Sequence, residues 1–306
     1  MSTISHLFTE NKFTEDDIAS FEKKVFFEGP RKRPYLVRFA VLLFLSTIIA
    51  AYGVINDSTA TVIGAMIIAP LMTPIMAEAA AVVMGNRKRA LHSLAIVAGG
   101  VGLVIVVSAI IGWIELQYNF IAYSDNSQIT GRISPRITDL VIALASGTAG
   151  AFAMSRDDIS DSMPGVAISI SLVPPLCVVG ICLAGSEWSA AWGALLLFLT
   201  NYLSILLSGG IVLAFLGLEK VANVDLDRRE RRKAFTVILI GVVLISLPLL
   251  ATSRRVAQES ALEARTTTAA TEWIEGSEYE LRRVRAQGGE IEILIAGEGD
   301  PPPYEE

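Results

Sequence analysis

Seven long apolar segments constrain the fold of this chain more than any other feature of its sequence. They cover residues 35–55, 59–84, 90–113, 135–154, 165–185, 188–218 and 234–252. A helix needs roughly 20 mostly apolar residues to cross the hydrocarbon core of a bilayer. Only 18% of the 306 residues are charged, below the ~25% typical of soluble domains. The sequence therefore predicts an all-α polytopic membrane protein with about seven transmembrane helices.

The basic residues predict the orientation of these segments. Lys and Arg concentrate in cytoplasmic loops. The loops on one side of the membrane hold only Arg132 and Arg136, near the start of the fourth segment. On the other side, basic residues lie before or at the start of the first segment and after the second, fourth and sixth segments: Arg31, Lys32, Arg33, Arg38, Arg87, Lys88, Arg89, Arg156, Lys220, Arg228, Arg229, Arg231, Arg232 and Lys233. We expect the N-terminus in the cytoplasm and the C-terminus outside it.

The polar ends of the chain predict two further parts. Residues 1–34 favour a cytoplasmic amphipathic helix that is capped by Thr14, carries Ile18, Phe21 and Val25 on one face, and ends at Gly29-Pro30. A solvated helix and a helix on the membrane surface fit this pattern equally. Residues 253–306 contain 6 basic and 12 acidic residues and predict an extracytoplasmic α+β tail, a helix followed by a β-hairpin. We expect the hairpin to pack on that helix or on another protomer of a homo-oligomer.

Prolines interrupt two of the segments near their middle. The second segment contains Pro70 and Pro74, and the fifth contains Pro174 and Pro175. A proline removes a backbone N–H and clashes with the carbonyl four residues earlier. In lipid, unwound backbone is tolerated only where it is buried in protein or lines a wet cavity. The alternative is that each proline merely kinks its helix.

A constant offset relates the two interrupted segments. Asp57 precedes Pro70 as Asp161 precedes Pro174, since 161 − 57 = 104 and 174 − 70 = 104. Each unit contains three helices, and an odd number of crossings reverses the second unit. The sequence thus predicts a transmembrane domain over residues 35–252, in which residues 35–114 and 135–218 form an inverted 3+3 repeat and residues 234–252 an extra helix. Secondary transporters commonly use such repeats, with the substrate bound at discontinuous helices near the midplane.

The substrate site is expected where the two breaks meet. Asn201, midway along the sixth segment, either bonds another helix or lines this site. The candidate substrate-binding residues are Gly64, Ala69, Pro70, Met72, Thr73, Pro74, Ser169, Ser171, Pro174, Pro175 and Asn201.

Glu78 is a carboxylate well inside an apolar run. Intramembrane carboxylates are costly and mark ion pathways, so Glu78 is the candidate coupling residue for H⁺ or Na⁺. The alternatives are a salt bridge to Arg87 or Arg89, or a side chain that reaches the membrane surface.

The remaining patterns exclude several classes of protein. The helices contain no serine–histidine pair, no H-E-x-x-H and no paired carboxylates, and the chain has no Walker-type loop. We predict no enzymatic activity and no cofactor, and the lack of a basic face argues against nucleic acid. The leading hypothesis is a secondary transporter for a small molecule or ion in the bilayer. A channel is the alternative, as is a scaffold or signalling protein that uses its external tail.

Two motifs carry a family resemblance. The run VIGAMIIAPLMTPI at residues 62–75 and the run SLVPPL at residues 171–176 resemble the prokaryotic "uncharacterised hydrophobic domain" family, domain of unknown function 389. The resemblance covers about residues 35–218. It implies a multi-pass protein of a bacterial or archaeal cell (inner) membrane and supplies no substrate.

Overall fold

The fold is taken from a computed structural model that describes residues 12–29, 32–118, 123, 125–156, 171–218, 228–275, 277, 279–287 and 290–297. The chain divides into two compact units, residues 1–247 and 248–306. The described helices and strands are α1 (Glu15–Val25), α2 (Lys32–Ile55), α3 (Thr59–Ile68), α4 (Met72–Val83), α5 (Arg87–Tyr118), α6 (Ser127–Ile133), α7 (Ile137–Met154), α8 (Val173–Ala184), α9 (Trp188–Phe215), α10 (Arg228–Ile274), β1 (Glu280–Gln287) and β2 (Glu290–Ala296).

Within the described ranges, five helices are long and apolar enough to cross a membrane: α2, α5, α7, α9 and α10. A sixth span results if α3 and α4, which are bent by 49° at their junction, are counted as one. The outer faces of these helices expose apolar side chains such as Val106, Val141 and Val243, as expected where helices face lipid. These features are those of a helical membrane protein, as predicted. The count of seven spans stays a prediction, because residues 157–170 of the fifth segment lie outside the described residues.

Helices α4 and α8 form the interior of the first unit. Nearly every residue of both helices is buried. Helix α4 packs against α5 and α9, and α8 packs against the same two helices. Glycines allow the close approach: Gly112 of α5 faces the backbone of Ile181 in α8, and Gly147 of α7 faces Ile205 of α9. Small residues at such contacts are typical of helices that associate in a bilayer.

Helices α4 and α8 also match each other in length and in the turns that follow them. Each has 12 residues and a proline in its first turn. Each leads into the next helix through a short turn with one residue of positive φ, Gly85 at 64° and Ser186 at 62°. The helix starts and these turn residues are the same distance apart in the chain, since 173 − 72 = 101 and 186 − 85 = 101.

This spacing differs from the 104-residue offset read from the sequence. A shift of 101 residues would pair Pro74 with Pro175 and Pro70 with Ser171, whereas the 104-residue offset pairs Pro70 with Pro174. The inverted repeat and its register stay a prediction.

Helix α1 docks on one end of the bundle. Thr14 and Asp17 form a reciprocal capping box, with the Thr14 N–H donating to Asp17 Oδ2 at 2.9 Å and the Asp17 N–H donating to Thr14 Oγ1 at 3.3 Å. The face that carries Ile18, Phe21 and Val25 is buried, and α1 packs against α4. The apolar face of α1 therefore packs on the protein, and the choice between a solvated helix and one on the membrane surface stays a prediction.

Ion pairs of Arg89 connect this region to the start of α5. The guanidinium of Arg89 donates to Glu22 at 3.0 Å and to Glu28 at 2.9 Å, and it lies 4.5 Å from the centre of the Phe26 ring. The helix ends at Val25 rather than at Gly29-Pro30, because the chain becomes extended at Phe26.

Helix α6 docks at the opposite end of α2. Asn126 Nδ2 donates to the Val54 carbonyl at 2.7 Å. Asp57 Oδ1 accepts hydrogen bonds from Ser127 Oγ at 2.6 Å and from the Gln128 N–H at 3.0 Å. These bonds, the one from Ser127 above all, hold the pKa of the Asp57 carboxyl below its ordinary value. Since α2 has 24 residues and a helix rises 1.5 Å per residue, α1 and α6 lie about 36 Å apart along it.

The second unit contains the C-terminal part of α10 and a β-hairpin. Helix α10 runs from Arg228 to Ile274 with Pro248 inside it, so the last apolar segment and the predicted helix of the tail belong to one helix. Strands β1 and β2 pair antiparallel, with an irregularity between Leu281 and Arg283. The Ala286 N–H donates to Glu263 Oε1 at 2.9 Å. The hairpin therefore packs on the helix that precedes it, which is one of the two predicted arrangements.

Replacement of Gly180 by alanine should destabilise the bundle. A Cβ atom at this position of α8 would lie 2.5 Å from the Ile105 carbonyl oxygen and would overlap Ser108 Oγ. Overpacking of this kind costs about 1–3 kcal/mol, so Gly180→Ala should lower the apparent melting temperature in detergent. Gly102→Ala is the matched control, since no atom lies within 4 Å of a Cβ there. Equal melting temperatures for the two variants would contradict the close contact of α5 and α8.

Candidate functional site

Among the described residues of the first unit, two cavities with charged side chains stand out. The first, the Glu78 cavity, has a volume of about 530 Å³, and its lining includes Glu78, Ala81, Asn86, Arg87, Leu94 and Lys233. The second, the Arg132 cavity, has a volume of about 290 Å³ and is lined by Gly131, Arg132, Asp139, Ile142, Ser171, Leu197 and Asn201.

The two cavities open at opposite ends of the bundle. The Glu78 cavity contains Arg87, the first residue of α5, and Arg89 joins this end to α1. The Arg132 cavity contains residues of α6 and α7, and α6 docks at the C-terminal end of α2. Because α1 and α6 lie at opposite ends of α2, one cavity enters from each end.

Helix α9 contacts both cavities near its middle, one directly and one through a hydrogen bond. Asn201 lines the Arg132 cavity. The Tyr202 hydroxyl donates to Glu78 Oε2 at 2.8 Å, and it is Glu78, not Tyr202, that lines the other cavity. Asn201 and Tyr202 lie halfway along a helix of 28 residues. Neighbouring residues of α9 are therefore linked to the two cavities.

Asn201 binds the chain just before the start of α8. Pro174 and Pro175 lie in the first turn of α8, where a backbone N–H has no acceptor within the helix in any case. Asn201 Nδ2 donates to the carbonyl of Ser171, which precedes this turn, at 2.6 Å, and Asn201 is buried. Asn201 thus bonds a neighbouring part of the bundle and lines a cavity, and its role in substrate binding stays a prediction.

Glu78 is buried, with 8% of its surface exposed. Glu78 accepts a hydrogen bond from the Tyr202 hydroxyl. The predicted salt bridge between Glu78 and Arg89 is wrong, because Arg89 pairs with Glu22 and Glu28 instead. Burial also excludes a side chain that reaches the surface. The position of Glu78 in a charged cavity agrees with the ion-coupling hypothesis, and its coupling role stays a prediction.

The break at Pro70 is confirmed, since Ala69 and Pro70 lie between α3 and α4 and Leu71 precedes the first residue of α4. Met72 and Pro74 are buried in the first turn of α4, and Thr73 is half-buried there. Pro174 and Pro175 are buried in the first turn of α8, Gly64 lies in α3, and Ser169 lies outside the described residues.

The structure groups the predicted site residues only in part. It brings Ser171 and Asn201 together in the Arg132 cavity and places Glu78 in the other cavity. The proline residues and their neighbours line neither of these two cavities. In the portion of the chain that is described, no three His, Cys, Asp or Glu side chains come together as metal ligands.

Sequence reasoning missed Arg132, Asp139 and Tyr202 as site residues. Arg132 counted only as a loop charge, yet it was one of two basic residues on the side where positive charge is scarce. Tyr202 was adjacent to Asn201 in an apolar helix, and a buried phenol needs a hydrogen-bond partner. These two signals were available in the sequence.

Comparison with known proteins identifies a family and a relative of this chain. Residues 66–207 match the model of a family described as a domain of unknown function, DUF389. Uncharacterized protein MJ0678 of Methanocaldococcus jannaschii is 31% identical over 208 residues, which cover 68% of this chain and 63% of that protein. The chain belongs to the DUF389 family. No solved structure matches it. The predicted resemblance is confirmed, and the matched region contains Glu78, Arg132 and Asn201.

The bond between Tyr202 and Glu78 should appear in a double-mutant cycle. Buried hydrogen bonds contribute about 0.5–2 kcal/mol, so Tyr202→Phe and Glu78→Ala, each of which removes the bond, should show a coupling of that order in the free energy of unfolding. Thr200→Ala is the matched control. The Thr200 hydroxyl donates to the Leu196 carbonyl of its own helix, so its coupling with Glu78→Ala should be near zero. Equal couplings for the two pairs would show that Tyr202 and Glu78 do not interact.

Proposed function

We propose that this protein is a secondary transporter that moves a small solute across a prokaryotic cell membrane by alternating access. The observation that carries the proposal is the pair of cavities that enter from opposite ends, one lined by Asn201 of α9 and the other by Glu78, which accepts a hydrogen bond from Tyr202 of α9. The two cavities are thus linked through neighbouring residues of α9. A solute held here would reach one side of the membrane at a time, once the helices around α9 shift.

The packing of the helices supports an inverted 3+3 repeat. Helix α2 packs against α5 as α7 packs against α9, and α4 packs against α9 as α8 packs against α5. Helix α2 ends beside α6, whereas α7 begins directly after it. The corresponding helices therefore run in opposite directions. Transporters with this construction bind substrates where discontinuous helices begin, which here are α4 and α8.

Glu78 is the residue that we assign to ion coupling. A buried carboxylate in a membrane domain tends to mark a proton or ion pathway. Glu78 lies in a cavity that opens beside Arg87 and Lys233, and only the Tyr202 hydroxyl bonds it among the described residues. A bound H⁺ or Na⁺ would remove its charge and so change the energetics of closing that cavity.

The charge distribution supports the orientation of the proposed transporter. Arg87 and Lys233 lie at the mouth of the Glu78 cavity, and positive residues favour the cytoplasmic side. The Glu78 cavity would then open to the cytoplasm, the Arg132 cavity would open to the outside, and the C-terminal unit would lie outside the cell.

Glu78→Gln should abolish ion-coupled uptake. The amide has the size of the carboxylate and can accept the Tyr202 hydrogen bond, but it cannot bind a proton or Na⁺ in the same way. Proteoliposomes would be assayed with a solute selected by thermal shift, since ligands that bind the native state raise apparent stability. We expect gradient-driven uptake to fall to the level of empty liposomes while solute binding persists. Unchanged coupling would remove Glu78 from the mechanism.

Cysteines in the two cavities should react from opposite sides of the membrane. The native Cys177 and Cys182 are buried and give a low background with a membrane-impermeant thiol reagent. We expect Ala90→Cys to be labelled from the cytoplasmic side and Gly131→Cys from the outside, since both line their cavities and are partly or fully exposed, with Leu43→Cys as the buried, unreactive control. Labelling of both cavities from both sides would favour a channel, and labelling of both from one side would contradict the proposed arrangement.

A further inference from the structure

The Arg132 cavity contains a guanidinium group with unused hydrogen-bonding capacity. Arg132 Nη1 donates to the carbonyl of Gln128 at 2.6 Å and to Gln128 Oε1 at 3.0 Å. Its Nε is buried and has no partner among the described residues. The edge of the guanidinium formed by Nε and Nη2 is therefore uncommitted, and two parallel N–H groups on one edge match the two oxygens of a carboxylate.

A second polar atom in the same cavity lacks a partner. Ser171 Oγ is buried and makes no hydrogen bond in the described parts of the chain, although the carbonyl of Ser171 is bonded to Asn201. Buried polar groups in proteins are almost always hydrogen-bonded. Arg132 Nε and Ser171 Oγ are two such exceptions, and both residues line the same cavity. This points to a ligand that bonds both.

The protein does not neutralise the arginine by a direct ion pair. No carboxylate of the described residues lies within the 4.0 Å ion-pair distance of Arg132. Asp57 is the acidic residue that contributes to its electrostatic environment, and Asp57 Oδ1 is already bonded to Ser127 and Gln128. Asp139 lines the same cavity, and its Oδ2 accepts a hydrogen bond from the Arg136 N–H.

We propose that the Arg132 cavity binds the carboxylate of a small organic acid. The Nε and Nη2 groups of Arg132 bond the two carboxylate oxygens, and the Ser171 hydroxyl donates a further bond to one of them. A volume of about 290 Å³ suits an acid of a few carbon atoms. Asp139 repels a second negative charge, so the cavity favours a monocarboxylate, including one with an amino group, over a dicarboxylate or phosphate. As a transport substrate this ligand depends on the proposed function, but its binding does not.

Binding to the purified full-length protein tests the site. The probes are L-lactate, L-alanine, succinate and inorganic phosphate, measured by isothermal titration calorimetry and thermal shift. We expect saturable binding of lactate or alanine and weaker binding of succinate and phosphate. Arg132→Lys keeps the charge but loses the paired donors, and it should raise Kd roughly 10- to 100-fold. Arg136→Lys, at an exposed position outside the cavity lining, is the matched control and should leave Kd unchanged.

Ser171→Ala provides a second variant that does not depend on the stability of the arginine variants. It removes a hydroxyl that has no partner in the described structure, so the unliganded protein should melt at the same or a higher temperature while Kd rises several-fold. Unchanged Kd in both Arg132→Lys and Ser171→Ala, preferred binding of phosphate, or no binding of any of the four probes would overturn the proposal. Binding that depends on Arg132 without uptake in proteoliposomes would refute transport and leave this site intact, whereas solute uptake insensitive to Arg132→Lys would refute the site alone.

Discussion

The hydrogen bond from Asn201 to the carbonyl of Ser171 is the interaction on which the centre of the bundle depends. Ser171 precedes α8, so its carbonyl lies outside the hydrogen bonds of that helix. Asn201 on the neighbouring helix supplies a donor. The bond holds the start of α8 against the middle of α9. The next residue of α9, Tyr202, lies on a different face of the helix.

The geometry of a helix explains how α9 makes two different polar contacts at one level. Successive residues point about 100° apart around the axis, so the side chains of Asn201 and Tyr202 face different helices. Asn201 faces the start of α8 and the Arg132 cavity, and Tyr202 faces Glu78 on α4. A rotation or tilt of α9 would change both contacts together. Helix α9 is therefore the physical connection between Asn201 in the Arg132 cavity and Glu78 in the other cavity.

The sequence predicted what depends on local chemistry and missed what depends on packing. The break at Pro70 follows from the missing N–H, the cap at Thr14 from its side chain, and the hairpin from alternation around two glycines. All three are confirmed. The partner of Glu78, the pairing of Arg89 with Glu22 and Glu28, and the place of Arg132 could not be predicted. These contacts join residues more than 50 positions apart or depend on where α6 docks, and hydrophobic periodicity carries no information about either.

The polar residues of the two cavities are better explained by function than by stability. A buried carboxylate or guanidinium in a membrane domain costs free energy that a well-packed apolar side chain of similar volume would not. The structure offsets this cost for Arg89, which has two carboxylate partners and an aromatic ring. It offsets the cost only partly for Glu78, bonded by one hydroxyl, and for Arg132, bonded through one of its three nitrogens. Of these three charged groups, the two with incomplete pairing line cavities, whereas the fully paired Arg89 holds α1 against the bundle. Incomplete pairing beside a cavity leaves hydrogen-bonding capacity for a ligand, and this is the property that a transport site requires.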